Sequence, residues 1–184
     1  VVKDSLITED THFNPVSSYG IIKATTEHYL KLFQTNYGLK TLIIRPSNPY
    51  GPRQNNTVSQ GVISTFLRKI VNNEDLIIYG NLDIKKDYIY IDDLVMITYL
   101  LISSEVNGSF NIGSGIGTTL KDILTIVSKL NDGNSSCIIE KSLTSDINSF
   151  VLDISKSHKI TNYLPKVNLL EGVNLTWKWI LKNN

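Results

Sequence analysis

Ser17-Ser18-Tyr19-Gly20-Ile21-Ile22-Lys23 opens a stretch that runs on to Tyr37-Gly38 and then to Thr41-Leu42-Ile43-Ile44. Its two halves carry different patterns. Ile22, Tyr29, Phe33 and Tyr37 share one helical face, a serine stands before them as a cap, and Gly38 follows as the stop. Thr41 to Ile44 is short, apolar and largely β-branched, which predicts a buried strand. A capped helix that leads into a buried strand points to an α/β chain.

The strand runs into Arg45-Pro46-Ser47-Asn48-Pro49-Tyr50-Gly51-Pro52-Arg53-Gln54, which holds three of the five prolines. Proline fixes φ and lacks an N–H, so this decapeptide is expected to be rigid, extended and outside any hydrogen-bonded ladder. Further on, helices are expected over Gln60 to Val71 and from an Asp92 or Asp93 cap to about Ser103. Others follow over Thr118 to Leu130, Ser155 to Leu164 and Leu169 to Leu181, the last anchored by Trp177 and Trp179. Strands are expected over Leu76 to Tyr79, Asp87 to Ile91, Phe110 to Ile112 and Cys137 to Glu140, and a surface loop over the first eighteen residues. The strands are too few and too unevenly spaced for a complete doubly wound sheet. The fold class expected is α/β: a partial Rossmann-like doubly wound sheet without its N-terminal βαβ units, plus a small C-terminal α/β substrate-binding lobe. Residues about 1–55 and 87–112 would build the Rossmann-like core, and the remainder largely the lobe.

A length of 184 residues with 41% hydrophobic and 19% charged residues suits one globular domain with a buried core. A net charge of +1 supplies no field for nucleic acid or an anionic membrane. No apolar run reaches the ~20 residues needed to cross a bilayer. The lone cysteine, Cys137, excludes an internal disulfide framework, reads as an inert packed thiol and suits a cytoplasmic location. Met96 is the only methionine, so Val1 reads as an internal position of a longer protein.

Tyr19 and Lys23 form Tyr-x-x-x-Lys, and positions i and i+4 stack on one helical face. A phenol alone is too weak an acid to serve as a base at neutral pH. An ammonium about 5 Å away, at an effective dielectric of about 20, favours the phenolate by roughly 3 kcal/mol. The pair is therefore a candidate proton acceptor and donor for a hydroxyl. Nine tyrosines and fifteen lysines in such a chain give roughly 0.7 matches by chance, so the spacing alone decides nothing.

The surrounding blocks decide it. Ile7-Thr8-Glu9-Asp10, then Asn14-Pro15-Val16-Ser17-Ser18-Tyr19-Gly20-Ile21-Ile22-Lys23 with Glu27, resembles the active-site helix of nucleotide-sugar epimerases. These belong to the NAD-dependent epimerase/dehydratase family of extended short-chain dehydrogenase/reductases. Arg45 to Gln54 resembles that family's segment between cofactor and nucleotide sugar. Tyr79-Gly80, Lys86-Asp87-Tyr88-Ile89-Tyr90-Ile91-Asp92-Asp93-Leu94, Phe110-Asn111-Ile112-Gly113-Ser114-Gly115 and Leu152-Asp153-Ile154-Ser155-Lys156 are similar to later blocks, in order.

The resemblance implies a UDP-glucose/UDP-galactose type 4-epimerase that oxidises sugar C4 transiently with bound NAD. The alternatives are a nucleotide-sugar 4,6-dehydratase and a non-catalytic sugar-nucleotide-binding fragment. It implies Tyr19 as the catalytic base and acid, and Lys23 as the ribose holder that assists it. Pro46 would line the cofactor pocket and Asn48 would donate to the diphosphate. Val62, Ile77 and Tyr79 would flank the uridine, and Lys86 and Asp146 would complete the substrate site. It also implies a possible homodimer through the active-site helix. Lys86 stands where the family usually has a diphosphate-clamping arginine, and Leu143 where a second arginine is usual, so the forked geometry is lost at both. The family's glycine-rich loop and catalytic serine or threonine, which belong to roughly 100–120 further N-terminal residues, are not in this sequence. These residues alone are therefore expected to be inactive.

Other features read as structural. Ile112-Gly113-Ser114-Gly115-Ile116-Gly117 has Thr118 where a dinucleotide fingerprint needs its third glycine, and reads as a flexible turn. Asp92-Asp93 reads as a helix cap. His12, His28 and His158 show no metal or triad spacing.

Overall fold

The computed structural model describes residues 6–54, 61–79, 81–131, 137–140 and 149–183. Its strands are β1 (Leu42–Pro46), β2 (Asn48–Tyr50), β3 (Leu76–Tyr79), β4 (Lys85–Tyr90), β5 (Gly108–Ile112), β6 (Gly117–Thr119), β7 (Cys137–Glu140) and β8 (Ser149–Phe150). The α-helices are α1 (Ser18–Tyr37), α2 (Val62–Val71), α3 (Ile91–Ser103), α4 (Leu120–Ser128), α5 (Ser155–Thr161) and α6 (Leu169–Asn183). The architecture is α/β, with three small sheets among the described residues.

Parallel strands β1 and β5 align Leu42 with Gly108 and Pro46 with Ile112. α3 packs on them, and Ile97, Leu101, Phe110, Ile112 and Ile89 form one buried core. A second core joins α2, β3, α4 and α6 through Phe66, Leu67, Ile70, Ile78, Val127 and Ile180. Trp177 and Trp179 pack against it and so anchor α6. Between the two cores lies β4, parallel to β2 and β8 and antiparallel to β6. Side chains alternate across a strand. Tyr90 accordingly joins the second core while Ile89 joins the first. Asn48 is opposite Tyr88 and Tyr50 opposite Tyr90, so these four point the same way.

Several expectations need correcting. The proline-rich segment does enter ladders: Arg45 and Pro46 pair with Asn111 and Ile112, and Asn48 to Tyr50 pairs with Tyr88 to Tyr90. Pro46 is tolerated as the last residue of its strand. Pro49 is tolerated because β2 has β4 as its one neighbour in the described sheet, an edge where a missing N–H costs no bond. Asp92 and Asp93 do not cap α3; the N-cap position is Tyr90 and both aspartates lie in the first turn. Asp93 is buried and accepts from the Tyr163 hydroxyl (2.8 Å), Lys166 N–H (3.1 Å) and Val167 N–H (2.9 Å). It tethers the approach to α6. α4 starts at Leu120, because Thr119 and Asp122 form a reciprocal capping box. α5 stops at Thr161, where Asn162 turns left-handed with φ 50°. Gln60, the expected start of α2, and the side chain of Cys137 fall outside the described residues.

The close approach of α6 to β2 requires a glycine: a Cβ on Gly172 would collide with the Tyr50 hydroxyl. Gly172→Ala is expected to cost about 1–3 kcal/mol of stability by overpacking, and Tyr50→Phe in the same chain to recover part of it. Urea unfolding of the three variants beside the wild type measures this.

Candidate active site

The catalytic candidates lie on α1, whose ends are set by local chemistry. Ser17 is extended and its hydroxyl accepts from Gly20 N–H at 3.1 Å. Gly38 takes φ 65° and its N–H donates to the Gln34 carbonyl at 3.0 Å. One turn into the helix, the Lys23 ammonium sits 5.4 Å from the centre of the Tyr19 ring. The i, i+4 pair is thus on one face, as the spacing requires. Tyr19 is 70% exposed, and among the described residues neither its hydroxyl nor the Lys23 ammonium makes a hydrogen bond.

α1 buries no residue. Two polar anchors hold it. Arg45 of β1 grips Glu27 with a fork, Nε to Oε1 at 2.9 Å and Nη2 to Oε2 at 2.6 Å, while Nη1 donates to the Glu9 carbonyl at 2.8 Å. The Phe13 ring lies 4.6 Å from this guanidinium. Two turns on, the Gln34 amide donates to Thr41 Oγ1 and Asn107 Oδ1 at 2.5 and 2.6 Å. The first anchor fixes the helix at its middle, about two turns beyond Tyr19.

A cavity of about 540 Å³ opens between α2, β2, β3 and β4. It gathers four of the expected substrate residues, Asn48, Val62, Ile77 and Lys86. Tyr19, Lys23 and Pro46 do not line it; Pro46 lies exposed at the end of β1. Tyr79 closes β3 beside Ile77 and Ile78, its side chain outside the described set, and Asp146 lies outside the described residues altogether. Asn48 differs from the expectation in one respect: its Nδ2 donates to the Asp87 carbonyl at 2.7 Å, leaving Oδ1 and one amide proton for a ligand.

Sequence reasoning missed Tyr88 and Lys69, which also line the cavity, and Asp87 behind it. Burial pushes the Tyr88 phenol up to about 12. Lys69 donates to the Asp75 carbonyl at 3.1 Å. Asp87 is fully buried, and its carboxylate accepts from Ser114 N–H (2.8 Å), the Ser114 hydroxyl (2.7 Å), Gly115 N–H (3.1 Å) and Leu152 N–H (3.4 Å). The Gly113 to Gly115 turn, expected to be flexible, is therefore pinned. Among the described residues no group of histidine, cysteine, aspartate and glutamate side chains could hold a metal, and no helix is long and apolar enough to cross a membrane.

Fold and site together define an α/β protein with a tyrosine–lysine helix and a polar-rimmed cavity beside a proline-bounded strand. Residues 2–113 match the NAD dependent epimerase/dehydratase family. Escherichia coli dTDP-4-dehydro-6-deoxyglucose reductase is 37% identical over 175 residues, covering 93% of this chain and 54% of the relative. Haemophilus influenzae dTDP-glucose 4,6-dehydratase is 26% identical over 199 residues, covering 100% of this chain and 57% of the relative. The crystal structure of Thermotoga maritima UDP-glucose 4-epimerase with UDP-glucose superposes with a TM-score of 0.91 at 32% identity, covering 100% of this chain and 59% of that one. The chain thus spans little more than half the length of these relatives. It belongs to the NAD-dependent epimerase/dehydratase family.

Removing one partner of the half-buried fork leaves a guanidinium without its charge. Glu27→Gln is expected to destabilise the chain by about 1–3 kcal/mol. It should also raise amide exchange in the first half of α1 more than in α2, as hydrogen-exchange mass spectrometry would record.

Proposed function

We propose that the protein carrying this chain is a nucleotide-sugar 4-epimerase of the UDP-glucose/UDP-galactose type. The observation that carries the reading is the likeness, over the whole chain, to a 4-epimerase solved with UDP-glucose, together with the convergence of Asn48, Val62, Ile77 and Lys86 on one cavity.

In this reading the uridine lies between Val62 and the β3 residues Ile77 and Tyr79, with Asp146 completing the site. The diphosphate lies against Asn48 and Lys86, and the sugar extends toward α1. Tyr19 takes the proton of the C4 hydroxyl and later returns it, and Lys23 favours the phenolate and holds ribose hydroxyls. NAD, its ribose held by Lys23 and its pocket walled by Pro46, would supply the reversible hydride acceptor for C4, with no net redox change. The free Tyr19 hydroxyl and Lys23 ammonium, both at the exposed end of α1, suit the hydroxyl-bearing ribose of such a cofactor, and Pro46 offers an apolar wall. The exposed stripe of Ile22, Tyr29, Phe33 and Tyr37 supports a homodimer contact through α1. The cytoplasm suits a chain with one cysteine.

A second reading has support of its own. The E. coli reductase shares 37% of residues, and reduction of a 4-keto sugar would use the same tyrosine once instead of twice. The dehydratase relative keeps the lyase reading in view. The products separate all three. These 184 residues alone are expected to bind UDP-sugars without turnover. The test is a chimera that supplies, from the Thermotoga maritima enzyme, the part of its chain these residues do not match. It is expected to interconvert UDP-glucose and UDP-galactose without net NADH, and Tyr19→Phe to lower the rate about 10²–10⁴-fold. Stoichiometric NADH consumption with a 4-keto sugar nucleotide would replace the epimerase reading by the reductase one, and formation of a 4-keto-6-deoxy sugar by the dehydratase one.

A further inference from the structure

We propose that the Tyr88 hydroxyl is a diphosphate donor, acting with Lys86 and Asn48 as a three-point anion grip in the cavity; this rests on the nucleotide-sugar reading above. The placement follows from strand geometry. Lys86 and Tyr88 are two residues apart on β4, so their side chains leave the same face, roughly 6–7 Å apart at Cα. Asn48 stands opposite Tyr88 in parallel register, about 4.8 Å across the ladder. All three line the same cavity.

The donor inventory fits an anion. Lys86 brings a charge, and Asn48 keeps one amide proton after its bond to the Asp87 carbonyl. The Tyr88 hydroxyl makes no hydrogen bond among the described residues, and its half-buried side chain lines the cavity. A phenolic O–H with no protein partner in a cavity wall is available to donate to an acceptor bound there. Burial holds the phenol at about 12, so at neutral pH it stays an O–H and donates to an anion instead of repelling it. A lysine is a point charge without the fork of a guanidinium. A fixed neutral donor two residues on supplies the direction that the ammonium lacks. Lys69, the other lysine lining the cavity, is drawn to the Asp75 carbonyl at the far end of α2.

Isothermal titration of the full chain with uridine, UDP and UDP-glucose tests the assignment, with Tyr88→Phe compared against wild type and equal melting temperatures confirming that the fold is kept. The expected result is a loss of about tenfold in affinity for UDP and for UDP-glucose alike, with uridine binding unchanged. Equal binding of all ligands by both proteins would overturn the proposal. So would a loss confined to UDP-glucose, which would assign the hydroxyl to the sugar. If wild type bound UDP-glucose no better than glucose, the nucleotide-sugar reading itself would fall, and this inference with it.

Discussion

A carboxylate withdrawn from water must find donors in the protein, and Asp87 constrains the chain more than any other single residue. Its two oxygens collect the Ser114 and Gly115 amides, the Ser114 hydroxyl and the Leu152 amide, from segments 27 to 65 positions away. A neutral residue of the same shape would leave those donors short of an acceptor, and an unpaired carboxylate would cost several kcal/mol. β4, the turn after β5 and the approach to α5 are therefore locked together. Gly113 is part of the lock, since a Cβ there would run into the Asp87 carboxylate. Gly113 serves close approach to a carboxylate and Gly115 a left-handed turn with φ 71°, so the glycines imitate a phosphate loop without its spacing.

With Asp87 held on one face of β4, the strand period sends Lys86 and Tyr88 to the other. The cavity side thus receives an ammonium and a phenol, while the opposite side receives a carboxylate and Ile89. The same residue serves both faces, because its backbone carbonyl takes the Asn48 amide and so orients a side chain in the cavity. A cavity wall bearing Lys86 and Tyr88 on one side and a structural hub on the other are two consequences of one buried acid.

What could be read from the sequence was what neighbours in the chain decide. Ser17 and Gly38 fix the ends of α1 through contacts three or four residues away, and the Tyr19–Lys23 geometry follows from helical rise. The proline-rich segment was misjudged because ladder membership depends on a partner: β2 tolerates Pro49 only because the other side of that strand is an edge. Asp93 was misjudged for the same reason, as its partners Tyr163, Lys166 and Val167 lie 70 or more positions on, and a cap is the local reading of an aspartate before a helix. Tyr88 was legible in principle. In Lys86-Asp87-Tyr88-Ile89-Tyr90 the strand period of two puts Tyr88 on the same face as Lys86, which the family resemblance had already assigned to the substrate.

Arg45 and Asn48 show how a short stretch can set the distance between the two parts of the proposed chemistry. Arg45 grips Glu27 and through it the helix that carries Tyr19, while Asn48 stands in the cavity wall three residues on. Three extended residues span roughly 10 Å. The intervening Pro46 fixes φ at one of the two residues between them, and the other, Ser47, has its N–H tied to the Ile112 carbonyl at 2.8 Å. The segment cannot easily stretch, fold back or rotate, so a change in tilt of α1 is passed to Asn48 instead of being absorbed by a loop. On the reading proposed above, a hydride-and-proton transfer at C4 tolerates little error in the placement of the sugar relative to Tyr19. A proline-stiffened strand between the helix anchor and the phosphate contact holds that placement without burying α1. On the same reading, the helix keeps its exposed apolar stripe for the homodimer contact proposed above.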